Sequence, residues 1–289
     1  MRQCSNRRAR AHSILVALGF MTFAGVGNAV NVAFEPRLEV GALSIELEQN
    51  SFRSDGKINS GFKIESNLPF VGAGATLIMD QFLFDFYLQK AYSEIDVSTT
   101  EGNSIIFDKQ LHSELDRDEY HISINHPVGD RGVLFGGYKK SKTSFSENTT
   151  RTGKSADGQP ASKGDTMRDI DFEQGGFFIG GSYMLTTGKH STLTIDATLV
   201  DLDATLSSSG KDAMNETDDT SAEKNLDYEY EGDAADLILG IMWKRNVGNN
   251  FSYSLGLSGY SHDFDVNKSK VPDISESLTR YSLGVSYQY

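Results

Sequence analysis

The residues best suited to chemistry in this chain are imidazoles and carboxylates that fall close together. His262-Asp263-Phe264-Asp265 sets an imidazole beside two carboxylates, and Asp118 with His121 repeats the combination. Such pairs can activate water or pass a proton, so hydrolysis is the chemistry to test. Asp-rich segment edges are common, however, and the spacing alone assigns no catalytic residue. Asp212, Glu216, Asp218 and Asp219 form a second acidic group. Hard carboxylate oxygens suit divalent cations, but the spacing fits no EF-hand loop, so a solvated acidic segment is expected, with no metal and no cofactor. Serine is too abundant to single one out, and no Gly-x-Ser-x-Gly occurs. The sole cysteine, Cys4, precedes an apolar run and leaves the rest of the chain without a thiolate nucleophile or a disulfide. Asn148-Thr-Thr and Asn215-Glu-Thr have the form of glycosylation acceptors and are read as incidental.

The elements that must position these groups alternate with a period of two. Tyr281, Leu283, Val285, Tyr287 and Tyr289 fall on one face, and Arg280, Ser282, Gly284, Ser286 and Gln288 on the other. A period of two puts these sets on opposite sides of a strand. Phe251, Tyr253, Leu255 and Leu257 alternate with serines and Gly256; Leu237, Leu239, Ile241 and Trp243 alternate with Asp236, Gly240 and Lys244. Similar runs start at Phe82, Tyr120 and Leu193.

Short connections alternate with long polar ones along the chain. The short ones lie at Met79–Asp80, Pro127–Arg131, Thr186–His190 and Asn246–Asn250, and the long ones at about 97–116, 148–168 and 207–226, with lesser ones near 50–60 and 266–275. Ten strands fit between them: 37–49, 61–78, 81–97, 117–127, 132–147, 168–185, 191–206, 226–245, 250–265 and 276–289. Eight or twelve stay open. A parity switch from Leu38 and Val40 to Leu43, Ile45 and Leu47 calls for a bulge near Gly41. Pro69 interrupts the second strand.

Two features distinguish a membrane barrel from a soluble sandwich. Aromatics cluster near strand ends on the apolar face: Phe82, Tyr92, Tyr120, Trp243, Phe251, Tyr281 and Tyr289. The opposite face carries Ser, Thr, Gly and charge, which suits a lumen better than a sandwich core. The expected fold is therefore all-β, a single closed antiparallel transmembrane barrel over residues 30–289. Closure satisfies every backbone polar group, as lipid demands. The lumen-lining candidates are Asp85, His121, Asp196, Asp236, Lys244 and Arg280, with Tyr260 and His262 on the same parity.

Residues 1–29 read as a cleaved signal peptide. Arg2, Arg7, Arg8 and Arg10 precede the apolar run Ile14–Val26 and the small-x-small site Gly27-Asn28-Ala29. Without them, 23 basic residues face 40 acidic ones, a net charge of −17. That excludes nucleic acid as an expected partner.

The segment Tyr281-Ser-Leu-Gly-Val-Ser-Tyr-Gln-Tyr289 resembles the terminal strand of Gram-negative outer-membrane β-barrel proteins. The resemblance implies that Tyr281, Leu283, Val285, Tyr287 and Tyr289 form an assembly signal read by the barrel-assembly machinery; Phe is the usual last residue there, and Tyr289 departs from that. It implies a bacterial outer-membrane address, with membrane lipid and lipopolysaccharide as surroundings. Three functions fit: a non-enzymatic barrel, either narrow porin or structural; an adhesin or receptor acting through the long connections on an unknown surface ligand; and a rim-active hydrolase. The length and strand count are similar to those of omptin-type surface proteases, but no omptin motif matches across the chain.

Overall fold

The computed structural model describes residues 32–52, 58–101, 105–155, 160–188, 190–212, 224–225, 227–248, 250–266 and 274–289. The expected signal peptide and the Glu216–Asp219 carboxylates lie outside them.

Ten long strands form the barrel: β1 (Val32–Phe52), β2 (Ile58–Met79), β3 (Phe82–Glu101), β4 (Ile105–Val128), β5 (Gly132–Ser155), β6 (Pro160–Thr187), β7 (Ser191–Asp212), β8 (Tyr228–Val247), β9 (Phe251–Val266) and β10 (Ile274–Tyr287). A two-residue strand, Lys224–Asn225, pairs with Lys211 and Asp212 of β7. Every neighbour in the ring is antiparallel, and the β1–β10 ladder, Arg37↔Ser286 to Gln49↔Ile274, closes it.

The expected bulge at Gly41 is absent. The ladders of β1 to both neighbours run through Gly41 without a register shift. Parity holds while the chemistry on each face inverts. Leu38 and Val40 are exposed on the outside; Leu43, Ile45 and Leu47 are buried on the inside, continuing the parity of Glu35, Arg37 and Glu39. Gly41 sits at the inversion because a Cβ there would lie 1.9 Å from the Tyr281 carbonyl oxygen. Pro69 is tolerated because the β2–β3 ladder ends at Phe70, just before it, while the β1–β2 ladder passes through.

The same inversion runs round the barrel. Near the short turns the outer face is an exposed apolar band that includes Phe84, Phe86, Ile122, Ile124, Phe177, Leu199, Leu239, Leu255 and Leu283. Beyond it the outer face turns charged and the inner face turns apolar. On β7, Leu199 outside gives way to Asp201 and Asp203, while Thr198 inside gives way to Val200, Leu202, Ala204 and Leu206. A lipid-spanning band is about 25 Å tall. A 24-residue strand such as β5 is about 80 Å long and, tilted by 35–45°, stands roughly 60 Å tall. The strands therefore continue far past the band as a stem with the polarity of a soluble protein.

This stem corrects the expected long loops. Most of 97–116 and 148–168 is strand, as are 207–212: the β3–β4 ladder reaches Glu101↔Phe107, the β5–β6 ladder reaches Lys154↔Pro160, and the β6–β7 ladder reaches Thr166↔Asp212. The outward residues turn polar there, and strand pairing continues regardless.

Candidate functional site

Contacts between strands that are not neighbours in the ring can be made only through the interior. They define a ladder of charged groups along the lumen.

Nearest the short turns, Lys244 of β8 donates to Glu35 Oε1 of β1 at 2.5 Å, and Ser286 Oγ donates to the same oxygen at 2.5 Å. Next, Arg37 binds Asp85 through both guanidinium nitrogens at 2.7 and 2.8 Å. Thr76 Oγ1 donates to Asp85 at 2.7 Å, and His121 Nε2 lies 3.4 Å from it. Arg280 pairs with Glu39 and donates to Tyr87 Oη at 2.5 Å. Asp196 borders a cavity of about 300 Å³ together with His121, Lys139 and Arg280. Gly240 opposite leaves room for the Asp196 carboxylate, since a Cβ there would lie 2.5 Å from its oxygens.

At the level where the outer face turns charged, the interior closes. Arg117 of β4 and Glu276 of β10 are both fully buried and meet at 2.5 Å. Arg117 also donates to Thr143 (2.7 Å), Ser141 (3.1 Å) and Tyr260 (2.8 Å). Tyr260 Oη donates to Glu276 at 2.9 Å, and Gln174 Nε2 donates to it at 2.5 Å. The β4–β10 contact crosses the barrel, so this cluster is a polar floor spanning the lumen. On it rests the apolar cluster, which includes Leu43, Leu68, Phe172, Leu202, Leu206 and Phe264. Leu43, Leu68, Phe172, Leu206 and Phe264 have no measurable exposure. The polar lumen expected from the alternation is thus interrupted by an apolar cluster beyond the floor, with polar contacts resuming past it where Arg168 donates to Tyr228 at 2.7 Å.

The candidate hydrolytic groups do not converge. His262 is buried inside and its Nδ1 lies 3.0 Å from Asp236 Oδ2. Asp263 is exposed on the opposite face, as period two requires. Asp118 faces outward and accepts from Lys90 Nζ at 3.0 Å.

His262 lies above the apolar band, where its neighbours Ser261 and Asp263 face water. Burial holds its pKa below the ordinary imidazole value; Lys139 adds to that, while Glu276 and Asp236 oppose it. The folded state therefore prefers the neutral ring. Its contribution to stability is present above pH about 6.5 and is lost as pH falls through the lowered folded pKa. The unfolding temperature should fall between pH 7.5 and 5, and His262→Gln should flatten that fall. An unchanged slope in H262Q would assign the effect to other groups.

All six lumen candidates thus have definite positions: Asp85 with Arg37, His121 beside Asp85, Asp236 with His262, Lys244 with Glu35, Arg280 with Glu39, and Asp196 at the cavity. Sequence reasoning missed Glu35, Arg37, Glu39, Arg117, Gln174 and Glu276. Parity could have found them, since Arg117 shares a face with His121, and Glu276 shares one with Arg280. The C-terminal aromatics Tyr281, Tyr287 and Tyr289 are exposed on the outer face with Leu283 and Val285, and Tyr289 stacks on Phe34 of β1 at 6.5 Å.

No protein-family profile matches the chain, and no curated protein matches it. Among solved structures, the outer membrane protease OmpT from Escherichia coli aligns over 92% of this chain and 99% of its own length, with a TM-score of 0.59 and 11% identity. The attachment invasion locus protein Ail of Yersinia pestis covers 89% of this chain and 99% of its own, with a TM-score of 0.35 and 8% identity. The outer membrane protein OprG from Pseudomonas aeruginosa covers 92% and 99%, with a TM-score of 0.34 and 12% identity. Identities this low speak to fold and not to activity. The closed ring, the exposed apolar band and the OmpT alignment agree: the fold of this chain is that of the outer-membrane β-barrel proteins.

Proposed function

We propose that this protein is a non-enzymatic barrel of the bacterial outer membrane whose interior is sealed and whose work is done at the cell surface by the stem. The observation that carries this reading is the filled lumen. A buried Arg117–Glu276 pair and a buried apolar cluster stand in series along the interior of the described residues. Water and ions need a continuous polar route, and a buried apolar layer interrupts one. A narrow porin draws support from the charged 300 Å³ cavity, but that cavity ends at the Arg117 floor. The divergence of His262, Asp263 and Asp118 supports the non-enzymatic reading.

Export through a cleaved signal peptide, assembly through the Tyr281–Tyr289 strand, and contact with outer-membrane lipid and lipopolysaccharide belong to the same proposal. Planar-bilayer recording tests it. The folded wild-type protein should give no discrete conductance steps at neutral pH. Reproducible steps from protein with native gel mobility would return the porin to first place.

A further inference from the structure

We infer that the seam between β2 and β3 in the stem is a docking site for an extended, basic segment of a partner protein, which adds to the wall as a strand. This rests on the surface role of the stem proposed above and names the class of partner that the stem takes.

The seam is a gap in backbone pairing. The β2–β3 ladder runs from Met79↔Phe82 to Phe70↔Ala91 and stops. Beyond it, twelve residues of β2 (58–69) and ten of β3 (92–101) remain strand. Each stays paired on its far side, β2 to β1 as far as Phe52↔Ile58 and β3 to β4 as far as Glu101↔Phe107.

The residues explain the gap. Continuing the register would set Glu65 opposite Asp96, and like charges directly opposed destabilise a strand pair. It would also set Pro69, which has no N–H to donate, opposite Tyr92. The interior behind the seam stays filled, since Leu68 has no exposure and Ile64 and Leu115 are buried. What is open is the backbone. Alternate residues of each edge turn N–H and C=O groups into the seam, and such an edge is a template for another strand.

Charge selects the occupant. Around the seam the outer face of β1–β4 carries Glu46, Glu48, Glu65, Glu94, Glu114, Asp116 and Asp118 against Lys63 and Lys90, seven carboxylates to two ammonium groups. Both ammonium groups are already engaged, Lys63 with Glu46 at 2.6 Å and Glu65 at 3.7 Å, and Lys90 with Asp118 at 3.0 Å. Glu94 and Glu114 make no ion pair with a lysine or arginine and share His112, at 3.8 and 3.3 Å. A second copy would bring the same acidic wall and be repelled. A segment with Lys or Arg on its outward side is attracted, and its inward side chains, facing the buried Ile64 and Leu68, are apolar.

The probe is a peptide of alternating lysine and valine about ten residues long, the length of the free β3 edge. It is added to folded full-length protein in neutral detergent. Fluorescence anisotropy of the labelled peptide reads affinity, and hydrogen exchange reads the amides of 63–68 and 92–94. In the free protein alternate amides there should exchange faster than those of β4 and β5, and the peptide should slow them. Glu65→Gln/Glu94→Gln/Glu114→Gln should weaken binding about tenfold while keeping its β-sheet dichroism. The same peptide with its backbone nitrogens methylated keeps its charge but cannot pair, and should not bind. Full protection of these amides without peptide would overturn the site. Equal binding of the methylated peptide would overturn strand addition, and equal binding of an alternating glutamate–valine peptide would overturn the choice of a basic partner. A protein dimer that the peptide disperses would overturn it in favour of a second copy. On intact cells a membrane-impermeant maleimide should label Lys63→Cys. A thiol out of reach there would overturn the surface role of the stem, whereas peptide binding in detergent would leave the seam standing.

Discussion

Replacing Arg117 with leucine should cost the folded barrel about 3–5 kcal/mol, because it leaves a buried carboxylate without its cation. Glu276 has no exposure and would keep only Tyr260 and Gln174 as donors. Both side chains lie in a layer that water does not reach, so Glu276 must either protonate or draw water into the stem. The double variant Arg117→Leu/Glu276→Leu should recover much of the loss, since two apolar side chains suit a layer that already borders packed hydrophobic residues. Urea unfolding in phospholipid vesicles, followed by loss of the compact unboiled gel band, measures both. A single-variant loss below about 1 kcal/mol would mean that the pair is hydrated and that the floor does not seal.

Truncating Phe172 to alanine should cost a similar amount, about 3–5 kcal/mol. Its ring is fully buried and meets Phe264 edge-to-face at 5.2 Å and 78°. The two rings come from β6 and β9, which are not adjacent in the ring, so the contact ties opposite walls of the stem together. Removing one ring leaves a cavity beside the other and beside Leu206, its buried partner on β7, and strand pairing keeps the walls from collapsing into it. Leu283→Ala, on the lipid-facing side of β10, is the control and should cost less, because lipid tails fill the space. Equal losses would mean that the interior layer is no better packed than the lipid boundary.

Much of this architecture was legible in the alternation. The C-terminal strand, the short turns and the ten-strand count all appear as period-two runs between polar breaks. The lumen candidates followed from parity on strands such as Leu237–Lys244. What parity could not convey is that the environment on each side changes along a strand. Leu38 and Leu43 read as a register break because one environment per face was assumed, whereas the first lies in the exposed apolar band and the second in the buried interior. The segments at 97–116 and 148–168 read as loops for the same reason: a strand in water has no apolar outer face to announce it.

The sealing floor was hidden for another reason. Arg117 and Glu276 are 159 positions apart, and Gln174 and Glu276 are 102 apart. Local spacing carries no information about such pairs; ring closure brings them together. His262, Asp263 and Asp118 do not converge for a reason already present in the sequence, since His262 and Asp263 are consecutive and must face opposite ways.

The most direct test of the sealed interior uses the chain's scarcity of thiols. In a Cys4→Ser background, Ala234→Cys places a thiol inside the apolar cluster, and Asp233→Cys places one on the exposed outer face one residue away. Both folded proteins are treated with a charged, water-soluble maleimide. A dry stem requires rapid labelling at 233 and none at 234 until the protein is unfolded. Labelling at 234 as fast as at 233, in protein that keeps its compact gel band, would show water running through the stem and would contradict the sealed barrel.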